Sequence, residues 1–318
     1  MDQFGIPYMG SKSKIAEQVC RIFPKADNFY DLLGGGFAIT HCMVETRKND
    51  FKFFHYNELR NGLPQLIQDC ITGKFNNKTY KMPWVSREEF FKKNKTDFFT
   101  NIVWSFGNKG TSYIFGEDIE QQKKSLHMAI VFGEFDEFAK EIFGFDKFRE
   151  GYSIYDKRIF LKRRLEYLGK KRLDIQQFQQ FQQLEQLQRL QRLQRLQRLQ
   201  RLERLQRLEQ QKISFYNGDY REVKIEENSV VYCDIPYQNT VEYDKNSGFN
   251  HKEFYKWARE LNHPLFVSEY NVNQDFMKLI FNENVRSTLS AISNSTARSE
   301  KVYCNKIALD KIREQRNG

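Results

Sequence analysis

The residues best placed to do chemistry in this 318-residue chain are Asp234-Ile235-Pro236-Tyr237. They follow the apolar run Val230-Val231-Tyr232-Cys233 and open into the polar stretch from Gln238 to Asn250. A β-branched, apolar run halted by an acid and a proline reads as a buried strand that delivers its last residues to the carboxyl edge of a sheet. Ligands bind at that edge in open α/β sheets. Pro236 favours an extended Ile235, so the Ile235 carbonyl and the Asp234 carboxylate can converge on one donor while Tyr237 offers a flat face. Two acceptors and a ring suit the exocyclic amine of a base. Such an amine is a poor nucleophile because its lone pair is delocalised into the ring. Acceptors on both of its hydrogens favour the pyramidal nitrogen and stabilise the positive charge that grows as it attacks. A strand-end Asp-X-Pro also makes plain turns, so the tetrapeptide takes its meaning from the elements that position it.

Those elements read as strands alternating with helices, which predicts an α/β fold with a mainly parallel sheet. Phe29-Tyr30-Asp31 is a strand ending in an acid, followed by Gly34-Gly35-Gly36 and a helical stretch from Ala38 to Glu45. Glycines at a strand-to-helix turn let the backbone approach a ligand where a side chain would collide. The spacing is not G-x-G-x-x-G, which disfavours a dinucleotide site; a simple glycine turn is the alternative. A second strand, Phe51 to Tyr56, ends in Asn57-Glu58, and an acid roughly twenty residues beyond such glycines can accept from both hydroxyls of a ribose. A further strand and turn are expected over 213–220, bringing Asp219 to the same edge, and a further strand over 264–270. A closing edge strand is expected over 299–304. Upstream, Ile6 to Lys14 is a turn-rich loop whose glycine, serines and lysines suit an anionic group near a helix start, or simply lead into a first helix through Ile15, Val19 and Ile22.

The net charge of +10, with a pI near 9.2, points to a polyanionic partner, either nucleic acid or an anionic membrane surface. No apolar run reaches membrane-spanning length and no signal peptide is evident, so a soluble protein is expected. The five cysteines are scattered, without the spacing of a zinc site or a disulfide framework; no metal is expected. From about Gly62 to Arg172 the pattern is helical and aromatic, and basic residues cluster over 157–172. Lysine and arginine interleaved with Phe and Tyr suit phosphate contacts and stacking. Between Leu184 and Leu208 leucine recurs at every third position among Gln, Arg and Glu. On an α-helix a step of three turns about 300°, so these leucines spiral round the axis instead of forming a stripe. The tract reads as a long exposed helix or a partly disordered expansion; an arginine-rich DNA clamp or a self-association arm, coiled coil included, is the sharper alternative.

Together these motifs resemble the Dam-like, alpha-group N6-adenine DNA methyltransferases of phage and bacterial type, which use S-adenosyl-L-methionine. Tyr8-Met9-Gly10-Ser11-Lys12 is similar to that family's amino-terminal motif, Asp31-Leu32-Leu33-Gly34-Gly35-Gly36 to its glycine loop, and Asp234-Ile235-Pro236-Tyr237 to its Asp-Pro-Pro-Tyr corner. Phe266-Val267-Ser268-Glu269-Tyr270 also resembles a family segment. Ile235 stands where the family has its first proline, and Glu58 where it usually has aspartate.

The resemblance implies a Rossmann-like methyltransferase fold acting on a flipped adenine in double-stranded DNA. Tyr8, Lys12, Asp31, Gly34, Gly35, Gly36, Glu58 and Asp219 would serve the cofactor; Asp234, Ile235, Pro236 and Tyr237 would serve catalysis. The catalytic domain would comprise residues 1–61 and 212–318. A helical target-recognition region would span 62–171 and the repeat insertion 172–211, and the setting would be a prokaryotic or phage-infected cytoplasm. The competing readings are an RNA methyltransferase, or a degenerate methyltransferase fold kept as a nucleic-acid-binding or self-associating module.

Overall fold

The computed structural model describes residues 4–6, 8, 10–75, 80–106, 110–171, 205–208, 213–237, 249–285 and 298–317. In chain order the elements begin with a 3₁₀ turn Lys12–Lys14, α1 (Ala16–Arg21), β1 (Asn28–Asp31), α2 (Ala38–Thr46), β2 (Phe53–Asn57) and α3 (Leu63–Ile71). Five helices follow: α4 (Arg87–Lys93), α5 (Phe98–Trp104), α6 (Glu120–His127), α7 (Glu137–Phe143) and α8 (Ile154–Lys171). The chain then returns through β3 (Ile213–Tyr216), β4 (Ser229–Asp234), α9 (His251–Glu260), β5 (Leu265–Ser268), β6 (Met277–Val285), β7 (Arg298–Asn305) and α10 (Lys306–Asn317). It forms two compact units, residues 1–68 with 207–318, and residues 69–206.

The first unit holds one seven-stranded sheet in the order β3-β2-β1-β4-β5-β7-β6. The pairs β3-β2, β2-β1, β1-β4 and β4-β5 are parallel, and β7 runs antiparallel to both β5 and β6. Period-two alternation sorts the side chains onto two covered faces. Tyr30, Val231, Cys233, Leu265 and Val267 pack with Phe254, Tyr255 and Ala258 of α9. On the other face Phe23 meets Phe29, Tyr232 and Phe266 at ring-centroid distances of 5.3, 5.5 and 4.9 Å. Asn250 starts α9 where the alternation ends, its side chain accepting from the Lys252 and Glu253 amides.

The segment 299–304 is a strand but not the edge; β6 pairs outside it and closes the sheet. The sequence of β6 carries Asn282, Glu283 and Asn284 and exposes Leu279 at 49%, so it lacks the alternation of a half-buried strand. Its conformation comes from pairing with β7, across a register shift between Leu279 and Phe281.

The second unit is helical. Its aromatic residues are mostly core: Phe143 and Phe148 pack with Leu161 and Leu165 of α8, and Trp104 is fully buried against Tyr113 and His127. The Phe and Tyr residues read as interleaved stacking groups are therefore divided, with Phe91, Phe106, Tyr152, Tyr155 and Tyr167 exposed. Of the repeat insertion, only 205–208 lies among the described residues. It is a 3₁₀ turn with Leu205 and Leu208 both buried, not an exposed α-helix. With three residues per turn a 3₁₀ helix sets i and i+3 on one side, which places Leu205 and Leu208 together. The self-association reading of the repeat falls outside the described residues. Among the described residues no helix is long and apolar enough to cross a membrane, and no cluster of His, Cys, Asp or Glu is arranged to hold a metal ion.

Candidate active site

Strand order reverses between β1 and β4, and both the glycine turn and the tetrapeptide leave the sheet at that point. Asp31 ends β1 opposite Tyr232, and Asp234 ends β4 opposite Ser268. The crevice outside the carboxyl ends of such strands is where open α/β sheets bind ligands.

Around the glycine turn the chain is tightly built. Gly35 has φ +48°, a region glycine enters at little steric cost. A Cβ on Gly36 would lie 2.5 Å from the Tyr8 Cβ, and one on Gly34 would lie 2.3 Å from the Tyr56 ring. The atoms that crowd these glycines thus belong to Tyr8 and Tyr56 of the same chain. The Tyr56 hydroxyl donates to the Gly35 carbonyl at 2.6 Å. Glu58, 8% exposed, accepts from the Gly35 amide on Oε2 and the Arg60 amide on Oε1, both at 2.9 Å. Asn57 donates to the carbonyls of Leu32 and Gly218 at 2.9 and 3.1 Å, tying the loops after β1 and β3 to β2. Gly5 and Ile6 hold the amino-terminal segment against this turn, donating to His41 Nδ1 and the Gly36 carbonyl, each at 2.9 Å.

Asp31 is 1% exposed. Its Oδ2 accepts from the Thr40 hydroxyl at 2.8 Å, and its Oδ1 is buried with no hydrogen-bond partner. Burial pushes its carboxyl up to about 7; Thr40 opposes the rise, and the charges of Asp234 and Glu58 add to it. Asp219 sits beyond β3 at the same edge, with its carboxylate taken by Arg221: Oδ1 accepts from the Arg221 amide and Nε, and Oδ2 from its Nη2 at 2.5 Å. That pairing holds Asp219 below the usual carboxylate range.

At the tetrapeptide, Lys12 Nζ lies 2.8 Å from Asp234 Oδ1 and 3.6 Å from Glu300 Oε2. The short contact to Asp234 is an ion pair, which makes the Lys12 ammonium the partner of this buried oxygen. Burial pushes the Asp234 carboxyl up to about 6, with Lys12 restraining the rise and Glu300 adding to it. Burial alone would depress the Lys12 ammonium, but the two carboxylates outweigh it and hold it above its ordinary value.

The Tyr237 hydroxyl donates to Glu300 Oε2 at 2.6 Å. Its ring meets Tyr270 edge-on at 4.3 Å and has the Lys12 ammonium over it at 4.6 Å. His251 Nε2 donates to the Pro236 carbonyl at 2.7 Å; a carbonyl only accepts, which places the proton on that nitrogen. Ile235 is 2% exposed, packed in the core on the α9 face of the sheet.

The structure brings Tyr8, Lys12, Asp31, the three glycines, Glu58 and the tetrapeptide to one edge of the sheet, with Asp219 beside them and engaged by Arg221. Glu300, Tyr270, His251 and Thr40 were not singled out from sequence. Thr40 and His251 pair with Asp31 and Pro236, nine and fifteen positions away, whereas Glu300 reaches Tyr237 from 63 positions away through the placement of β7. Cys233 is buried in β4 and burial raises its thiol well above its ordinary value, as befits a packed strand residue and not a nucleophile.

A glycine turn and an acid-proline corner on adjacent strands, at the switch point of this mostly parallel sheet with its antiparallel β7, define a Rossmann-like methyltransferase. The family model for D12 class N6 adenine-specific DNA methyltransferases matches residues 8–278, and the chain belongs to that family. No curated protein matches the chain significantly. The activity is therefore methylation of the adenine N6 amine in double-stranded DNA, with S-adenosylmethionine as the methyl donor; the RNA and non-catalytic readings are not favoured.

Proposed function

We propose that Asp234, the Ile235 carbonyl and Tyr237 grip the target adenine of this reaction. The observation that carries the assignment is Asp234 at the carboxyl end of β4, with its Oδ1 held at 2.8 Å by the Lys12 ammonium, a donor that an arriving amine can replace. An amine hydrogen arriving there takes the place of the ammonium, so the buried carboxylate is not left without a donor, which would be costly. The second amine hydrogen goes to the Ile235 carbonyl. With both hydrogens engaged, the nitrogen lone pair leaves conjugation, and the Asp234 charge opposes the positive charge that develops on nitrogen. Tyr237, held at its edge by Tyr270, stacks on the base. The base must leave the duplex because its amine is out of reach inside the stack.

S-adenosylmethionine supplies an electrophilic methyl carried on a sulfonium. The residues present fit it in kind. Asp31 keeps a partnerless buried oxygen for an ammonium. Each Glu58 oxygen, having accepted one amide, retains a lone pair for a ribose hydroxyl. Tyr8 and the Gly34–Gly36 turn shape the wall between them, and Asp219 lies on the side toward β3.

Residues 62–171 are assigned to DNA recognition, on the basis of α8, which presents Lys162 and Arg163 to solvent while burying its apolar side. The cytoplasm of a prokaryotic or phage-infected cell is the matching location.

Asp234→Ala is expected to reduce methyl transfer to duplex DNA by at least about 10³-fold, with S-adenosylmethionine binding largely retained by calorimetry. Transfer at the wild-type rate would refute the assignment, and faster transfer to structured RNA than to duplex DNA would redirect the substrate.

A further inference from the structure

Two features of the tetrapeptide corner point the same way. Lys12 holds both things a target base needs, since its ammonium sits on the Asp234 carboxylate and over the Tyr237 ring. One oxygen of Glu300 meets both the Tyr237 hydroxyl and that ammonium. Glu300 lies in β7, beyond the residues 8–278 that the family model matches.

We propose that Glu300 is a positioning residue for methyl transfer, fixing the Tyr237 ring through its hydroxyl and receiving the Lys12 ammonium when the target amine takes Asp234. This inference rests on the reading of Asp234 given above.

The corner holds one cation between two carboxylates, so the ammonium has a second counter-ion within 4 Å when it gives up the first. Without Glu300 its release from Asp234 would strand a buried ammonium, which is strongly unfavourable. The 3.6 Å separation from Glu300 leaves room for that contact to tighten. Meanwhile the hydroxyl bond to Glu300 and the edge contact with Tyr270 constrain Tyr237 at two points, so the ring keeps one orientation before the base arrives. Preorganisation of this kind lowers the reorganisation needed at the moment of reaction.

Glu300→Gln separates the two roles, since the amide oxygen still accepts from Tyr237 but no longer balances the ammonium. The expected result is a kcat lowered about 10-fold or more, with S-adenosylmethionine affinity and unfolding midpoint near wild type. The acid limb of kcat/KM should also move to lower pH. The charged and titratable groups around Asp234 are Lys12, Asp31, Tyr232, Cys233, Tyr237, Tyr270 and Glu300. Removing the Glu300 charge leaves Lys12 to hold the Asp234 carboxyl down. In a Lys12→Met background the same substitution should have a smaller effect on kcat, because the ammonium it acts on is gone.

Wild-type kcat in Glu300→Gln would overturn the proposal. So would an unmoved acid limb, or loss of cofactor binding or folding, any of which would make Glu300 at most a structural brace. An inactive Asp234→Ala beside a wild-type Glu300→Gln would sink this inference alone, whereas an active Asp234→Ala would sink both.

Discussion

Asp31 offers a direct test of how the pocket is built, through stability and not through turnover. Its carboxyl is raised from an ordinary 3.8 to about 7, chiefly by burial. A carboxyl raised on folding contributes stability that is fully present below its unfolded value and is lost as pH rises through the folded one. The native protein therefore becomes less stable, on account of this group, between about pH 4 and pH 7. Integrated between pH 5 and pH 8, the loss is on the order of 2 to 3 kcal/mol.

Asp31→Asn removes the titration. The oxygen of the substituted amide still accepts from the Thr40 hydroxyl, and the amide nitrogen takes the place of the partnerless Oδ1. Any misfit of that nitrogen is the same at every pH and cancels from the comparison. The variant's unfolding midpoint relative to wild type should thus improve by about 5 °C on going from pH 5 to pH 8, as measured by calorimetry. Saturating S-adenosylmethionine should narrow the gap at pH 8, because a cationic ligand stabilises the ionised wild-type carboxylate. A midpoint difference that is the same at both pH values would refute the reasoning, since it would mean that Asp31 is ionised alike in the folded and unfolded protein.

Two further substitutions test the walls of the fold. Gly36→Ala puts a methyl 2.5 Å from the Tyr8 Cβ. It should displace the segment that carries Tyr8 and Lys12, cost about 1–3 kcal/mol of stability and weaken S-adenosylmethionine binding at least about tenfold in calorimetry; unchanged affinity would show that Tyr8 does not wall the pocket. Arg158 of α8 is 7% exposed, its Nε has no hydrogen-bond partner, and burial brings its guanidinium down to about 10. Arg158→Met should raise the unfolding midpoint in calorimetry by removing a buried charge; a lowered midpoint would show that the guanidinium is compensated in the folded protein.

By itself the sequence determined the strands that carry the chemistry and where they stop. Val230 to Cys233 and Phe29 to Tyr30 are local apolar runs, and the acid, glycines and proline that end them are local signals, so β1, β4 and their loops were legible along the chain. The glycine spacing, Asp31 and the tetrapeptide pointed to a nucleoside pocket and an amine-binding corner because backbone freedom and side-chain chemistry are properties of the residues themselves.

The structure decided what depends on pairing at a distance. Strand β6 has a polar, half-exposed sequence and becomes a strand only against β7, which moved the sheet edge outward from 299–304. The glycines turned out to be crowded by Tyr8 and Tyr56, because only folding brings residues 8 and 36 into contact. Lys12 and Glu300 are 288 positions apart, and nothing in either neighbourhood marks one as the counter-ion of the other. Their meeting at Asp234 follows from the order in which parallel strands and one antiparallel pair are laid side by side, and with it the burial that lifts two carboxyls toward neutrality.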